Sequence, residues 1–106
     1  PFADAEPGMA GAETLLPLTL GLVRDGVIDT ARAFTLLATN PASLLGVNAG
    51  VLALDAEADI AVIDPDKPWI VDSDKMAAAA GNTPFDKQGA QGRALILLKG
   101  GAIIAQ

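Results

Sequence analysis

The chain of 106 residues contains no histidine and no cysteine. A zinc site of the usual nitrogen and sulfur type cannot be built from it, nor can a histidine acid–base pair or a nucleophile–histidine triad. Without cysteine there is no disulfide, which fits a cytoplasmic location, the one expected here. Lys and Arg number 7 against 13 Asp and Glu, giving a net charge of −6, and the basic residues form no cluster. Neither nucleic acid nor an anionic membrane is therefore an expected partner. No apolar run approaches the ~20 residues of a membrane span, because Pro17, Gly21, Arg24 and Asp25 interrupt the best candidate. A signal peptide, an internal repeat and a low-complexity tract are lacking too, Ala77–Ala80 being too short to count. The chain starts at Pro1 without an initiator Met, so a processed or truncated product is expected. Any reactive groups it serves are expected to lie elsewhere.

What is present is apolar. Hydrophobic residues make up 51% of the chain, and mean hydropathy is +0.40. The length allows one small domain at most, and small domains bury a smaller share of their surface than large ones. Something outside the chain is expected to cover the remainder.

The most informative stretch runs from Glu6 to Leu18. Pro7, Gly8 and Gly11 permit tight turns and close backbone approach, and helix-favouring residues follow from Glu13. Pro17 is tolerated there only in the first helical turn, where its missing N–H has no intrahelical partner anyway. Such a loop is either a plain connector or a means of presenting backbone amides to a ligand. The helix beyond it has almost no polar face, which predicts that it is surrounded. Arg24-Asp25-Gly26 ends it, Gly26 suiting a left-handed terminus. Asp29 or Thr30 caps a second helix through Ala38. Asn40-Pro41 is expected to stop that helix and, with Asn40 as N-cap, to start a third that ends at Gly46.

The second half changes period. Residues 59–64 read as a short strand closed by a turn at Pro65–Pro68, and Trp69–Val71 as another strand. Residues 74–80 predict a weak helix or an irregular link, and residues 81–84 a loop. Leu95–Lys99, Gly100-Gly101 and Ala102–Ala105 carry a hairpin signature. Helices followed by strands suggest segregated layers rather than a βαβ array.

In this order the pieces resemble the C-terminal end of a dihydroorotase of the amidohydrolase superfamily. The resemblance spans the whole chain. It rests on Pro1-Phe2, Pro7-Gly8, the Gly11–Leu18 helix start, Asn40-Pro-Ala-Ser-Leu-Leu-Gly46, Gly50, Ala58–Pro65, Trp69, Asn82-Thr-Pro-Phe85 and the closing hairpin between Gly92 and Gly101. The Asn-Pro-Ala and Ala-Asp-Ile elements are spread through the superfamily. The Glu-Thr helix and Asn-Thr-Pro-Phe point to dihydroorotases over hydantoinases or allantoinases.

The resemblance implies an α/β parent, a (β/α)₈ TIM barrel with a small β-sandwich assembled from both chain ends. Residues 1–46 would supply the last barrel loop and helices, residues 47–106 the C-terminal part of the sandwich, and the barrel would cover the apolar first helix. The implied activity is that of a hydrolase in pyrimidine biosynthesis, interconverting dihydroorotate and carbamoyl-aspartate. The implied cofactor is zinc, activating water and polarising the amide carbonyl, with ligands in the preceding part of the parent and none in this chain. The implied partners are the remaining barrel, the small-molecule substrate, and either a second copy or aspartate transcarbamoylase. No catalytic residue falls in this chain, which is expected to be inactive alone. The substrate-binding residues carried over are Pro7, through its C=O, and Gly8, through its N–H. Alternatives are a non-catalytic subunit scaffolding aspartate transcarbamoylase and another cyclic-amide hydrolase such as an allantoinase.

The other prominent residues have structural readings. Glu13 suits the first helical turn, Asp59 and Asp64 a turn or cap role, and Asn82–Phe85 a loop packed on the body. Trp69 is expected in the sandwich core or over the barrel, and it is read as lacking the basic neighbours of a nucleic-acid stacking platform. Ala12, Asp55-Ala-Glu57 and Asp86-Lys-Gln88 depart from the dihydroorotase pattern in loops and packing.

Overall fold

The structure, a computed structural model, describes residues 2–5, 8–78 and 80–106. Its α-helices come first and a three-stranded antiparallel sheet follows, as the change of period predicts, with the helix Leu15–Arg24 packed against the sheet. Among the described residues, no helix is long and apolar enough to cross a membrane.

Helix α1 spans Leu15–Arg24 and begins after Thr14, so Glu13 lies in the preceding turn rather than in the first helical turn. Buried Thr14 donates its hydroxyl to the Gly11 carbonyl at 3.3 Å. Pro17 is the third helical residue, where no intrahelical bond is lost. The C-terminus closes as expected. Gly26 has φ +75°, its N–H reaches the Val23 carbonyl, and Val27 N–H reaches the Leu22 carbonyl at 2.9 Å. Pro17 and Leu20 are buried, whereas Leu15, Leu18 and Leu22 face outward. Among the described residues the helix is therefore covered on one side, not surrounded.

Helix α2, Thr30–Phe34, is capped by Asp29, whose carboxylate accepts from Arg32 N–H at 2.7 Å. The stop expected at Asn40-Pro41 does not occur. A π-helical turn, Thr35–Thr39, carries the chain directly into α3, Asn40–Leu45, with Asn40 helical at φ −66° and ψ −45°. A proline ring crowds the carbonyl four residues earlier and leaves it without a donor. The wider turn just ahead of Pro41 takes up that crowding without breaking the helix. Gly46, at φ +70°, then ends the helix as expected.

The expected turn at Pro65–Pro68 is also absent as a strand end. Strand β1 runs unbroken through Ile60–Ile70 against β2, Gly89–Lys99. The register moves from Asp64 opposite Arg93 to Pro68 opposite Gln91, so Pro65, Asp66 and Lys67 bulge opposite Gly92 alone. Both prolines are tolerated because β1 is an edge strand and the bulge asks for no ladder donors. The Asp64 carboxylate turns the bulge by accepting from Asp66 N–H at 3.0 Å. Residues 73–75 form only a short 3₁₀ turn.

The final hairpin matches its signature. β2 pairs with β3, Ala102–Ala105, around Gly100 and Gly101 at φ +56° and +82°. Asp59 braces it, accepting from Gly100 N–H at 2.9 Å and from Lys99 Nζ at 3.1 Å. The Gly100 amide first, and then Lys99, hold the Asp59 carboxyl below its ordinary value of 3.8. A carboxylate whose folded pKa is depressed stabilises above its unfolded pKa, and that contribution is lost as pH falls through the folded value. Asp59→Asn in the full-length protein should therefore lower the unfolding midpoint slightly at pH 7. The gap to wild type should close below pH 3.8. A gap unchanged in acid would refute the brace.

Candidate functional site

Of the two expected substrate contacts, Pro7 lies outside the described residues, while Gly8 lies in the exposed approach to α1. Its carbonyl accepts from Asn82 Nδ2 at 2.9 Å. Open space surrounds the position where a Gly8 side chain would stand, so a ligand can approach the backbone closely. Among the described residues, no group accepts the Gly8 N–H. A backbone N–H beside a carbonyl already bonded is the kind of donor that backbone recognition of an oxygen-bearing ligand uses.

Glu13, expected in the first helical turn, instead ties the chain ahead of α1 to a distant segment by accepting from Ala77 N–H at 3.1 Å. Asp59 and Asp64 hold turns. Asn82–Phe85 does pack back on the body, Phe85 lining a groove between α1 and the sheet and Asn82 meeting the loop that carries Gly8. The Asn-Thr-Pro-Phe motif announces the packing, but nothing in the one-dimensional pattern names its target.

A groove of about 750 Å³ opens between α1 and the sheet, lined by Pro17, Leu18, Leu22, Trp69, Val71 and Phe85 among others. Trp69 donates its Nε1 proton to the Gly92 carbonyl at 3.0 Å. The sequence reading of this tryptophan needs correction: Arg93 lies over its ring, 4.3 Å from the centroid. Arg93 stands opposite Asp64 in the β1–β2 ladder, a neighbour only strand register could supply. One cation on one ring is a packing contact, without the run of charges that a nucleic-acid backbone demands.

The donor set does not fit zinc. Histidine and cysteine are missing from the sequence, and among the described residues no three carboxylates gather. Asp72 comes nearest to a charge cluster, with Lys87 Nζ at 3.2 Å and Lys75 Nζ at 4.0 Å. The Asp74 amide and then Lys87 hold its carboxyl below the ordinary range. The group is an exposed loop tie.

With this architecture in view, comparison with known structures defines a class. The L-hydantoinase (dihydropyrimidinase) of Arthrobacter aurescens superimposes on 99% of this chain with a TM-score of 0.89 and 27% identity, over 24% of its own length. The D-hydantoinase (dihydropyrimidinase) of a Thermus species shares the fold at a TM-score of 0.80 and 22% identity, again with 99% of this chain and 24% of that one. The fold is thus that of a segment of hydantoinase-like proteins in the amidohydrolase superfamily.

Sequence narrows it further: the chain is related over nearly its whole length to dihydroorotases. That of Pelobacter propionicus is 39% identical over 103 residues, covering 97% of this chain and 24% of the relative. That of Geobacter metallireducens is 40% identical with the same coverage. That of Aquifex aeolicus is 34% identical over 94% of this chain and 24% of its own. The chain spans about a quarter of the length of these curated relatives. No protein-family model matches it.

Proposed function

We propose that this chain is the C-terminal portion of a dihydroorotase, residues 1–46 completing the barrel and residues 47–106 the sandwich. The carrying observation is the 39–40% identity to dihydroorotases over 97% of the chain. In the reaction, water adds to the ring carbonyl of dihydroorotate and the ring C–N bond breaks. The carbonyl carbon becomes a carboxylate, the released ring nitrogen gains one proton of the water to become the terminal NH₂ of the ureido group, and the other proton passes to solvent, giving carbamoyl-aspartate; the reverse closes the ring. This chain's share is binding, with Gly8 N–H as donor and the Pro7 carbonyl as acceptor for polar edges of the substrate. Zinc belongs to the remainder of the parent, because this chain has no histidine or cysteine and its described carboxylates do not gather. The remaining barrel also covers the groove beside α1.

A hydantoin-ring hydrolase is the second reading, favoured by the TM-score of 0.89 to the L-hydantoinase. Turnover of dihydroorotate, hydantoin and allantoin by the full-length protein separates the readings. Preference for dihydroorotate is expected, and preference for either other ring would overturn it. No turnover at all, with stable binding to aspartate transcarbamoylase, would mean a scaffold instead. In the same protein, Gly8→Pro removes one donor and should raise KM for dihydroorotate about tenfold with kcat within about twofold. An unchanged KM would remove Gly8 from the site.

A further inference from the structure

The connection between β1 and β2, residues 71–88, grips the segment leading into α1 at three points. Asn82 Nδ2 donates to the Gly8 carbonyl at 2.9 Å. The Asn82 backbone carbonyl accepts from Ala10 N–H at 3.3 Å, and Ala77 N–H donates to Glu13 at 3.1 Å. We infer that Asn82 is a positioning residue for substrate binding, which rests on the reading of Gly8 above.

One residue supplies both a donor and an acceptor, to Gly8 and Ala10, and so fixes where the loop lies and how its peptide plane faces. Glycine on its own leaves that plane free to rotate, and ordering it on ligand binding costs conformational entropy. A loop ordered in advance spares the ligand that cost. The bond occupies the Gly8 carbonyl and so holds the Gly8–Met9 peptide, the neighbour of the peptide that carries the Gly8 N–H.

Asn82 is itself well held. It is half-buried, Thr83 N–H bonds the Gly81 carbonyl at 2.9 Å, and Phe85 N–H bonds Thr83 Oγ1 at 3.2 Å. The connection is anchored to the body where Ser73 N–H meets the Asp86 carboxylate at 2.9 Å and Val71 N–H meets the Gln88 carbonyl at 2.9 Å. Among the described residues, the grip therefore runs from the sheet to the loop. Aspartate in place of Asn82 would keep the shape, lose the donor and set a carboxylate against a carbonyl oxygen.

The test uses the full-length protein, with Asn82→Asp and Asn82→Ala compared with Gly8→Pro. Dihydroorotate binding is measured by calorimetry, alongside KM, kcat and hydrogen exchange of residues 8–10. Both Asn82 variants should raise Kd and KM about tenfold, leave kcat within about twofold and the unfolding midpoint unchanged, and speed exchange in the loop. Wild-type binding in both, while Gly8→Pro binds poorly, would overturn the positioning role and leave the site reading intact. Parallel loss of kcat and unfolding midpoint would overturn it too, because that marks a merely structural residue. If Gly8→Pro itself binds normally, the site reading fails, and the positioning role for substrate fails with it.

Discussion

Gly50→Ala should destabilise the full-length protein by about 3 kcal/mol in denaturant unfolding. Gly50 has φ +77°, and a Cβ there would stand 2.6 Å from the Ala38 carbonyl oxygen and 3.2 Å from the Ala42 methyl. The obstacle is helix backbone, which cannot swing aside as a side-chain tip does. It belongs to the π-turn that accommodates Pro41, and Thr39 Oγ1 donates to the Gly50 carbonyl at 3.0 Å. Left-handed strain contributes about 1–2 kcal/mol and overpacking about 1–3 kcal/mol. Gly46 provides the control, with φ +70° and nothing within 4 Å of the added Cβ. Gly46→Ala should cost only the conformational part, about 1 kcal/mol. Equal losses at the two glycines would show that the contact with Ala38 contributes nothing.

Gly92→Ala should cost about 2–4 kcal/mol, for a different reason. Gly92 is buried at φ +103°, and its missing side chain leaves room for the Leu20 Cδ1 methyl. The Pro65 carbonyl oxygen lies 3.3 Å from the same point and accepts from Arg24 Nη1 at 3.3 Å. The Gly92 carbonyl takes the Trp69 proton. This glycine thus joins the β1 bulge, the tryptophan and α1. Leu20 is 4% exposed, so Leu20→Ala alone should cost about 2–5 kcal/mol. Leu20→Ala also removes the methyl that the Gly92 substitution would strike, so the double variant should be less destabilised than the sum by at least about 1 kcal/mol. Strict additivity would show that the two residues do not share this space.

Local chemistry explains the elements that could be read without coordinates. The Asp29 cap, the left-handed Gly26 and Gly46 ends and the Gly100-Gly101 hairpin each depend on residues within a turn of one another. The two misread prolines have the opposite character. Pro41 stays inside a continuous helical run and Pro65 inside a continuous strand because a π-turn and a bulge accommodate them. Only packing against distant residues decides whether such accommodations are worth their local cost.

The site divides the same way. Sequence alone determined that this chain offers no histidine or cysteine to a metal, and that Pro7 and Gly8 carry polar groups on the backbone alone. These follow from residue types, which no fold can change. Tertiary structure decided that Asn82 reaches Gly8, that Arg93 covers Trp69 and that Gly92 makes room for Leu20. Those pairs lie far apart along the chain or across a strand register, and sequence separation carries no distance until the sheet and α1 pack together.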